Sequence, residues 1–429
     1  MNKAHPDEIP ALTGLRFLAA FSVVIAHGTA VLMHGHERLG SVAYWCTQAS
    51  DFGMALFFVL SGFVIHYNYA SQVTEGRLAG IAAYLWARFA RLYPLFLLTL
   101  LGYVLVSRKH FEFWSGHPDE FRNVLQALPY FLFSVQSWFY VPVGDTTLIY
   151  AIGGGTSLTW SISTEWFFYL LYPLVAWLIL RSRAPWLTVV AVLSWCVLWI
   201  AISTSVYDRN PAINAWAVER YGPIAEMRQP QGDFAAPESF VFWLSLFSPY
   251  LRMGEFILGS LIAQLYVQLR IWKPAGLENA TGTGLFFAAA ASIFAISYLE
   301  YGPDVGMNVF RKMYMNFAVA PSVALLVFSA ARYHNVFSRL LTSRPFLVLG
   351  DASYSIYLVH YTVLMIATKL IGSAVHTELF NALAFILSTV AILLISILLY
   401  RYYEAPARTW LRQLWRDHPK RVAAGSPRA

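Results

Sequence analysis

The sequence predicts an all-α fold, a polytopic membrane helical bundle with about ten transmembrane helices. Three observations support this. Hydrophobic residues make up 58% of the 429 residues and charged residues only 12%, whereas a soluble domain carries about 25% charged residues. Apolar windows recur that approach or exceed the roughly 20 residues needed to cross a bilayer. Ionisable side chains inside these windows are spaced so that they share helix faces. The windows are 12–33, 52–70, 86–106, 160–180, 186–204, 247–268, 282–299, 313–332, 346–368 and 378–402.

Two segments do not fit the pattern of spans. The segment 121–141 is apolar but contains Pro129, which predicts a re-entrant or interfacial segment. The segment 205–238 holds several Pro and Gly residues and shows no helical period, so we expect an external loop or cap. Residues 1–407 are expected to form the membrane-embedded domain, and 408–429 a basic cytoplasmic tail that is amphipathic or disordered.

The composition also excludes several functions. The net charge of +7 does not indicate a nucleic-acid partner, because a basic excess in a membrane protein usually marks cytoplasmic loops. Lys and Arg are commoner in the connections on the N-terminal side of the membrane, which predicts that both termini are cytoplasmic. No metal-binding motif and no phosphate-binding loop is present, so we expect neither a metal site nor nucleotide hydrolysis.

The first window carries two ionisable residues, Arg16 and His27. They are 11 residues apart, so they lie on one helix face about 16 Å apart along the axis. Each ionisable group costs about 2.5–3.5 kcal/mol at the centre of a bilayer. A lone histidine in a span is more often structural, but a histidine in phase with an arginine favours catalysis. An imidazole suits a general base at neutral pH.

The run TWSISTEWFFYLLYP contains Ser161 and Glu165, four residues apart on one helix face. Its aromatic residues are also typical of a membrane-interface belt with one solvated glutamate. The sequence leaves open whether this run forms part of a catalytic site that includes Glu165 or only such a belt.

The run GDASYSIYLVH places Ser353 and His360 on one face, with Tyr354 beside them. His360 is a second candidate acid or base. Ser and Tyr in spans also form hydrogen bonds between helices, and we favour that structural interpretation for Ser353.

The sequence contains two pairs of charged residues whose members are three residues apart. Arg252 and Glu255 are spaced for an ion pair within one helix, which can simply neutralise itself. Arg88 and Arg91 are expected at the inner end of the third span, where they either bind phosphate oxygens or anchor the helix at the membrane surface. Gly62 predicts close packing of two helices.

Taken in order, these pieces resemble the acyltransferase-3 family of integral membrane acyltransferases. The similarity runs from about Ile9 to Arg408 and rests on six motifs, none specific alone. They are LTGLRFLAAFSVVIAH, FGMALFFVLSGFVI, RFARLYP, TWSISTEWFFYLLYP, RMGEFILGS and GDASYSIYLVH.

The resemblance implies an enzyme that transfers acyl groups other than aminoacyl groups, in the bacterial inner (plasma) membrane. The co-substrate is then a cytoplasmic acyl-CoA, commonly acetyl-CoA, with no permanently bound cofactor. The acceptor is a hydroxyl of a cell-surface or lipid-linked carbohydrate. The resemblance casts Arg16 and His27 as the principal pair and gives Arg88 and Arg91 the acyl-CoA phosphates. Some relatives carry an additional hydrolase-like domain, and we expect this chain to be the stand-alone form.

The alternative function is a proton-coupled transporter or flippase of a glycan or small metabolite, since buried Arg, His and Glu also serve proton relays. The sequence shows no internal repeat, which counts against many transporter folds. The acceptor, the acyl group, and the choice between direct transfer and an acyl-enzyme remain open.

Overall fold

The computed structural model describes residues 8–33, 40–75, 77–106, 118–222, 239–270, 276–313, 316–372 and 377–425. These residues are almost entirely helical, which confirms the predicted all-α bundle. The helices are α1 Pro10–Leu32, α2 Gly40–Glu75, α3 Arg77–Val106, α4 Pro118–Leu132, α5 Trp160–Ile179, α6 Pro185–Asp208, α7 Asn210–Tyr221, α8 Phe240–Phe242, α9 Pro249–Leu269, α10 Gly276–Tyr301, α11 Ala320–Arg332, α12 Val336–Leu341, α13 Arg344–Asp351, α14 Ser353–Ile371, α15 Glu378–Leu399 and α16 Ala405–Gly425.

Shorter elements connect the helices. Strands β1 Pro142–Val143 and β2 Thr146–Thr147 form a small antiparallel hairpin. A 3₁₀ turn over Gly154–Thr159 leads directly into α5. A π-helical turn over Trp243–Phe247 follows α8. Further short turns cover Arg311–Met313 and Tyr400–Glu404.

Eight helical stretches in the described part of the chain are long and apolar enough to span a membrane, and two of the ten predicted windows correspond to helices that do not meet this measure. The window 313–332 contains α11, which has only 13 residues. The window 247–268 corresponds to α9, which has 21 residues but includes Arg252 and Glu255. The eight stretches are Pro10–Leu32, Val42–Glu75, Leu78–Tyr103, Thr156–Ile179, Pro185–Asp208, Glu278–Tyr301, Ser353–Ile371 and Glu378–Trp415.

The bundle has a protein-buried centre and an apolar periphery. The spanning window of α2 is 67% buried and that of α1 is 56% buried, whereas α6 is only 11% buried. The outer helices expose large aliphatic and aromatic side chains, such as Leu193, Phe294 and Leu387. A helix that is apolar all round and exposed is suited to lipid contact. The spans of α1, α2 and α5 are the most buried, and α1 and α2 pack closely on each other.

Two segments predicted to lie outside the spans are largely helical where the structure describes them. The loop expected over 205–238 contains the end of α6 and all of α7, because Pro211 lies in the first helical turn, where its missing N–H costs nothing. Gly222 ends α7 with a φ of +81°; residues 223–238 lie outside the described part. The predicted tail is helical over Ala405–Gly425, and this helix packs on α3. Trp86 donates a hydrogen bond to the Leu411 carbonyl at 2.8 Å.

Helices α2 and α9 cross at glycines. A Cβ added to Gly62 would lie 1.9 Å from the Phe256 carbonyl oxygen, and one added to Gly259 would lie 2.0 Å from the Val59 carbonyl oxygen. Backbone atoms are the obstacle in both cases, so neither contact can be relieved by rotating a side chain. The predicted role of Gly62 in close helix packing is confirmed.

Gly62→Ala is therefore expected to destabilise the protein, by about 1–3 kcal/mol for an overpacked contact, with a lower unfolding temperature in detergent. Gly102→Ala is the matched control, because a Cβ at Gly102 meets nothing within 4 Å and alanine is the better helix former. Equal unfolding temperatures for the two variants would contradict the packing argument.

Candidate active site

A cavity rich in arginine lies between α1, α2, α3, α5 and the start of α14. We call it the arginine cavity. Its volume is about 30 Å³, which is enough for one or two water molecules at roughly 10–15 Å³ each. It contains three guanidinium groups and one carboxylate, a formal charge of +2. It is lined by Arg16, Phe57, Leu60, Ser61, Val64, Ile65, Arg88, Arg91, Leu92, Glu165, Tyr169, Ser353 and Tyr354.

The sequence predicts that the two arginines of α3 lie at the end of their span. The structure places them inside the helix instead. Helix α3 begins at Arg77, so Arg88 and Arg91 lie 11 and 14 residues into it. Arg88 is 4% exposed, donates a hydrogen bond to the Tyr69 hydroxyl and lies 4.5 Å above the Tyr69 ring. A surface anchor would be exposed, so the burial of Arg88 does not match the anchoring interpretation for that residue. Within the described residues, neither Arg16 nor Arg91 has an ion-pair partner.

Glu165 supplies the one carboxylate of the arginine cavity. Its Oε1 accepts hydrogen bonds from Ser61 at 2.8 Å and from the Tyr169 hydroxyl. Its Oε2 is buried and unpaired within the described part of the chain. Glu165 is 5% exposed, so it is not the solvated glutamate of an interface belt. It acts electrostatically on Arg88 without forming an ion pair with it among the described residues.

A second cavity, of about 210 Å³, lies near the other end of α1. We call it the histidine cavity. Its walls are mainly aromatic and aliphatic, with few polar groups, as is usual for sites that bind small molecules. It is lined by Val23, His27, Ser50, Asp51, Met54, Tyr150, Ser157, Leu158, Trp160, Phe242, Leu246, Phe247 and Tyr357.

His27 forms a pair with His360, which is 333 residues away in the sequence. The two rings are parallel, with an interplanar angle of 4°, and His27 Nδ1 lies 2.9 Å from His360 Nε2. His360 Nδ1 lies 2.5 Å from the Tyr357 carbonyl oxygen, and His360 is fully buried.

These contacts determine the tautomers of both neutral rings. A carbonyl oxygen only accepts, so His360 Nδ1 carries a proton and donates it to the oxygen. His360 Nε2 is then the acceptor for a proton on His27 Nδ1. The remaining nitrogen, His27 Nε2, therefore has a lone pair, and it has no hydrogen-bond partner among the residues that the structure describes. This chain of hydrogen bonds prepares His27 to act as a base through Nε2.

Phe57 and Tyr357 stand between the two cavities. Phe57 lines the arginine cavity and Tyr357 lines the histidine cavity, and their rings stack at 6.0 Å. The Tyr357 hydroxyl donates to the Leu158 carbonyl at 2.9 Å, which leaves Ser161 as the donor in the 2.6 Å contact between the two hydroxyls. The helix face that was predicted to carry Arg16 and His27 therefore borders both cavities, with Arg16 in one and His27 in the other.

The ion pair predicted between Arg252 and Glu255 of α9 is present, and both side chains are buried. Arg252 Nη1 lies 2.9 Å from Glu255 Oε1, with the two side chains 1% and 0% exposed. Arg252 Nε also donates to the Leu246 carbonyl at 3.0 Å. Neither residue lines the arginine cavity or the histidine cavity, so the pair supports the wall instead of facing a ligand.

The remaining predicted residues divide between lining and packing. Ser353 lines the arginine cavity. Tyr354 also lines it, but its hydroxyl donates to the Leu92 carbonyl at 2.7 Å, which fits a hydrogen bond between helices.

Sequence reasoning missed Asp51, which lines the histidine cavity beside His27. It stands one residue before the predicted window 52–70, so the windows place it in the connection between two spans and not inside a helix. Helix α2 begins at Gly40, so Asp51 lies inside it. Its spacing of three and seven residues from the buried Met54 and Phe58 was the signal that could have placed it on the inner face.

Comparisons with known proteins agree on one kind of enzyme. A family model described as an acyltransferase domain matches residues 9–401. The chain is 27% identical to the acyltransferase MdmB of Streptomyces mycarofaciens over 370 residues, which cover 85% of this chain and 81% of that protein. It is 24% identical to a putative peptidoglycan O-acetyltransferase, YrhL, of Bacillus subtilis, covering 97% of this chain and 57% of YrhL.

The O-acetyltransferase OatA of Staphylococcus aureus is 21% identical over 94% of this chain and 58% of OatA. The chain therefore spans somewhat more than half the length of YrhL and OatA. No solved structure matches.

Proposed function

The chain belongs to the acyltransferase-3 family of membrane acyltransferases, and we propose that it moves an acyl group, commonly acetyl, from acyl-CoA to a carbohydrate hydroxyl. One observation carries the proposal. Helix α1 joins a cavity with three arginines to a cavity in which His27 Nε2 is free to act as a base. Of the two functions that the sequence left open, the family supports the enzyme and not the transporter.

The guanidinium groups around the arginine cavity are suited to the phosphates of the donor, and the cavity, at about 30 Å³, has to widen to admit them. Guanidinium groups match phosphate oxygens with paired hydrogen bonds, and Arg16 and Arg91 have no ion-pair partner of their own among the described residues. We place this cavity on the cytoplasmic side of the inner membrane, where acyl-CoA is found and where the charge bias puts both termini. The thin arm of the donor then extends past Phe57 toward His27, about 16 Å from Arg16 along the helix.

The histidine cavity is suited to the acceptor. His27 Nε2 takes the proton of the acceptor hydroxyl while the oxygen attacks the thioester carbonyl carbon. The C–O bond of the new ester forms and the C–S bond breaks. The CoA thiolate leaves with the proton that His27 had taken, so His27 returns to its neutral form. Tyr357 lines this cavity, and we assign its hydroxyl to the developing oxyanion, which requires it to exchange its hydrogen bond with the Leu158 carbonyl for one with the oxyanion.

Two further features support a carbohydrate acceptor. Aromatic side chains form the walls of the histidine cavity, and such faces stack on sugar rings. The putative peptidoglycan O-acetyltransferase of Bacillus subtilis matches nearly this whole chain, and the substrate in its name, peptidoglycan, contains sugar chains.

Purified protein in detergent is expected to release CoA from acetyl-CoA and to form an acetyl ester, measured with a thiol reagent and by mass spectrometry. Arg91→Gln is expected to raise KM for acetyl-CoA about 10- to 100-fold with little change in kcat. The reason is that a hydrogen bond to a charged group contributes about 1.5–3 kcal/mol, and 1.4 kcal/mol is a factor of ten.

Arg181→Gln is the matched control. Arg181 stacks on Trp177 at 3.6 Å and lines neither cavity. Absence of CoA release from the wild-type protein would overturn the proposed function. An unchanged KM for Arg91→Gln would overturn only the placement of the phosphates.

A further inference from the structure

Asp51 is a buried carboxylate in the wall of the histidine cavity, and the transfer step above does not use it. It lines the cavity together with His27 and is 8% exposed. Its Oδ2 is buried without a hydrogen-bond partner in the part of the chain that the structure describes. Unsatisfied buried polar groups are rare in folded proteins and call for an explanation.

The neighbouring charges do not satisfy Asp51. Arg252 acts electrostatically on Asp51 and on Glu255, and its Nη1 is bonded to Glu255 at 2.9 Å. Its Nη2 is buried without a hydrogen-bond partner among the described residues, so no hydrogen bond joins Arg252 to Asp51 Oδ2. One guanidinium thus faces two carboxylates, a formal charge of −1 for the three groups. Arg252 holds the cavity wall in place through its bonds to Glu255 and the Leu246 carbonyl. Asp51 can still accept a hydrogen bond from a group that enters the cavity.

The cavity can hold more than water. Its volume of about 210 Å³ far exceeds the roughly 10–15 Å³ that one water molecule needs. Trp160, Tyr150 and Phe247 provide aromatic surface, and Asp51 provides oxygens that only accept hydrogen bonds when ionised. Aromatic faces beside a carboxylate suit a ligand with an apolar ring face and several hydroxyl donors, which describes a pyranose.

We propose that the histidine cavity binds one pyranose ring of the acceptor through two of its hydroxyls. One hydroxyl meets His27 Nε2 and is acylated, and a second hydroxyl of the same ring donates to Asp51. Asp51 then decides which hydroxyl is presented to the base, so it determines specificity without taking part in the proton transfer. This inference rests on the proposed function.

The test uses the full-length protein in detergent, with acetyl-CoA and the methyl glycosides of gluco-, galacto- and mannopyranose as acceptors. The best acceptor is then compared with its monodeoxy analogues. For the wild-type protein, removal of the hydroxyl that meets Asp51 is expected to lower kcat/KM at least tenfold, because a buried polar group is left unpaired.

Asp51→Ala is expected to raise KM for the intact glycoside at least tenfold and to respond less than twofold to that same deoxygenation. KM for acetyl-CoA stays unchanged. Asp51→Asn keeps an accepting oxygen, so its KM for the glycoside and its response to deoxygenation are expected to lie between those of the wild-type protein and Asp51→Ala. This variant provides the test if Asp51→Ala does not fold. Asp208→Asn is the control, since Asp208 pairs with Lys312 at the surface, at 2.6 Å.

Discrimination between the glycoside and its deoxy analogue that is as large as in the wild-type protein, in Asp51→Ala or, where that variant does not fold, in Asp51→Asn, would overturn the role of Asp51. CoA release by the wild-type protein without acetylation of any glycoside would overturn the pyranose site while leaving the donor assignment intact. No CoA release at all would instead mean that the proposed function itself is wrong.

Discussion

Replacing His27 with alanine is expected to lower kcat for acetyl transfer about 10²- to 10⁴-fold, the usual contribution of a positioned general base. The acceptor hydroxyl is a weak acid, so its oxygen becomes a good nucleophile only as its proton leaves. His27 Nε2 is the nitrogen that the hydrogen-bond chain leaves unprotonated. Single-turnover acetylation of a pyranoside acceptor measures this step directly.

KM for acetyl-CoA is expected to remain within about threefold of the wild-type value in this variant, because the three arginines belong to the other cavity. His334→Ala, at an exposed position, is the control for loss of a histidine as such. Partial recovery of His27→Ala by added imidazole would support a proton-transfer role. Wild-type kcat in a folded His27→Ala protein would exclude His27 as the base.

The local features of this protein could be predicted from its sequence, because they depend on spacing within one helix. Arg16 and His27 were placed on one face of α1, and each lines a cavity. Arg252 and Glu255 were paired from their spacing, and their contact is 2.9 Å. Gly62 was assigned to close packing because a residue without a side chain lets two backbones approach.

The division into two cavities could not be predicted in this way. It depends on Phe57 from α2 meeting Tyr357 from α14, a contact across 300 residues of sequence. Sequence spacing gives the face of each helix but not its partner helix. For the same reason the sequence gives Ser161 a helix face but no partner, whereas its hydroxyl contacts the Tyr357 hydroxyl at 2.6 Å.

Errors in helix boundaries had direct consequences for the site. The third window was begun at residue 86, which placed Arg88 at the end of a span, whereas α3 begins at Arg77 and buries it. The second window was begun at residue 52, which left Asp51 in a connection. In both cases a helix continues beyond its most apolar stretch, because packing against other helices, and not hydropathy alone, decides where it ends.

The pairing of His27 with His360 leads to the second large effect. His360→Leu is expected to lower kcat about 100-fold while KM for both substrates changes little, since His360 lines neither cavity. Leucine cannot accept the proton on His27 Nδ1, so His27 is free to carry its proton on Nε2 instead. That tautomer has no lone pair directed toward the acceptor. A comparable tautomer error at a catalytic histidine costs about 10⁴-fold in the serine protease triad.

His360→Gln separates this positioning role from simple packing. Glutamine can present an oxygen to His27 Nδ1, whereas leucine cannot, although both remove the contact of His360 Nδ1 with the Tyr357 carbonyl. We therefore expect His360→Gln to retain about tenfold more kcat than His360→Leu at similar unfolding temperatures. Equal losses in the two variants would mean that His360 only fills space. In that case His27 would reach its reactive tautomer without help, and the hydrogen-bond chain would have no part in the rate.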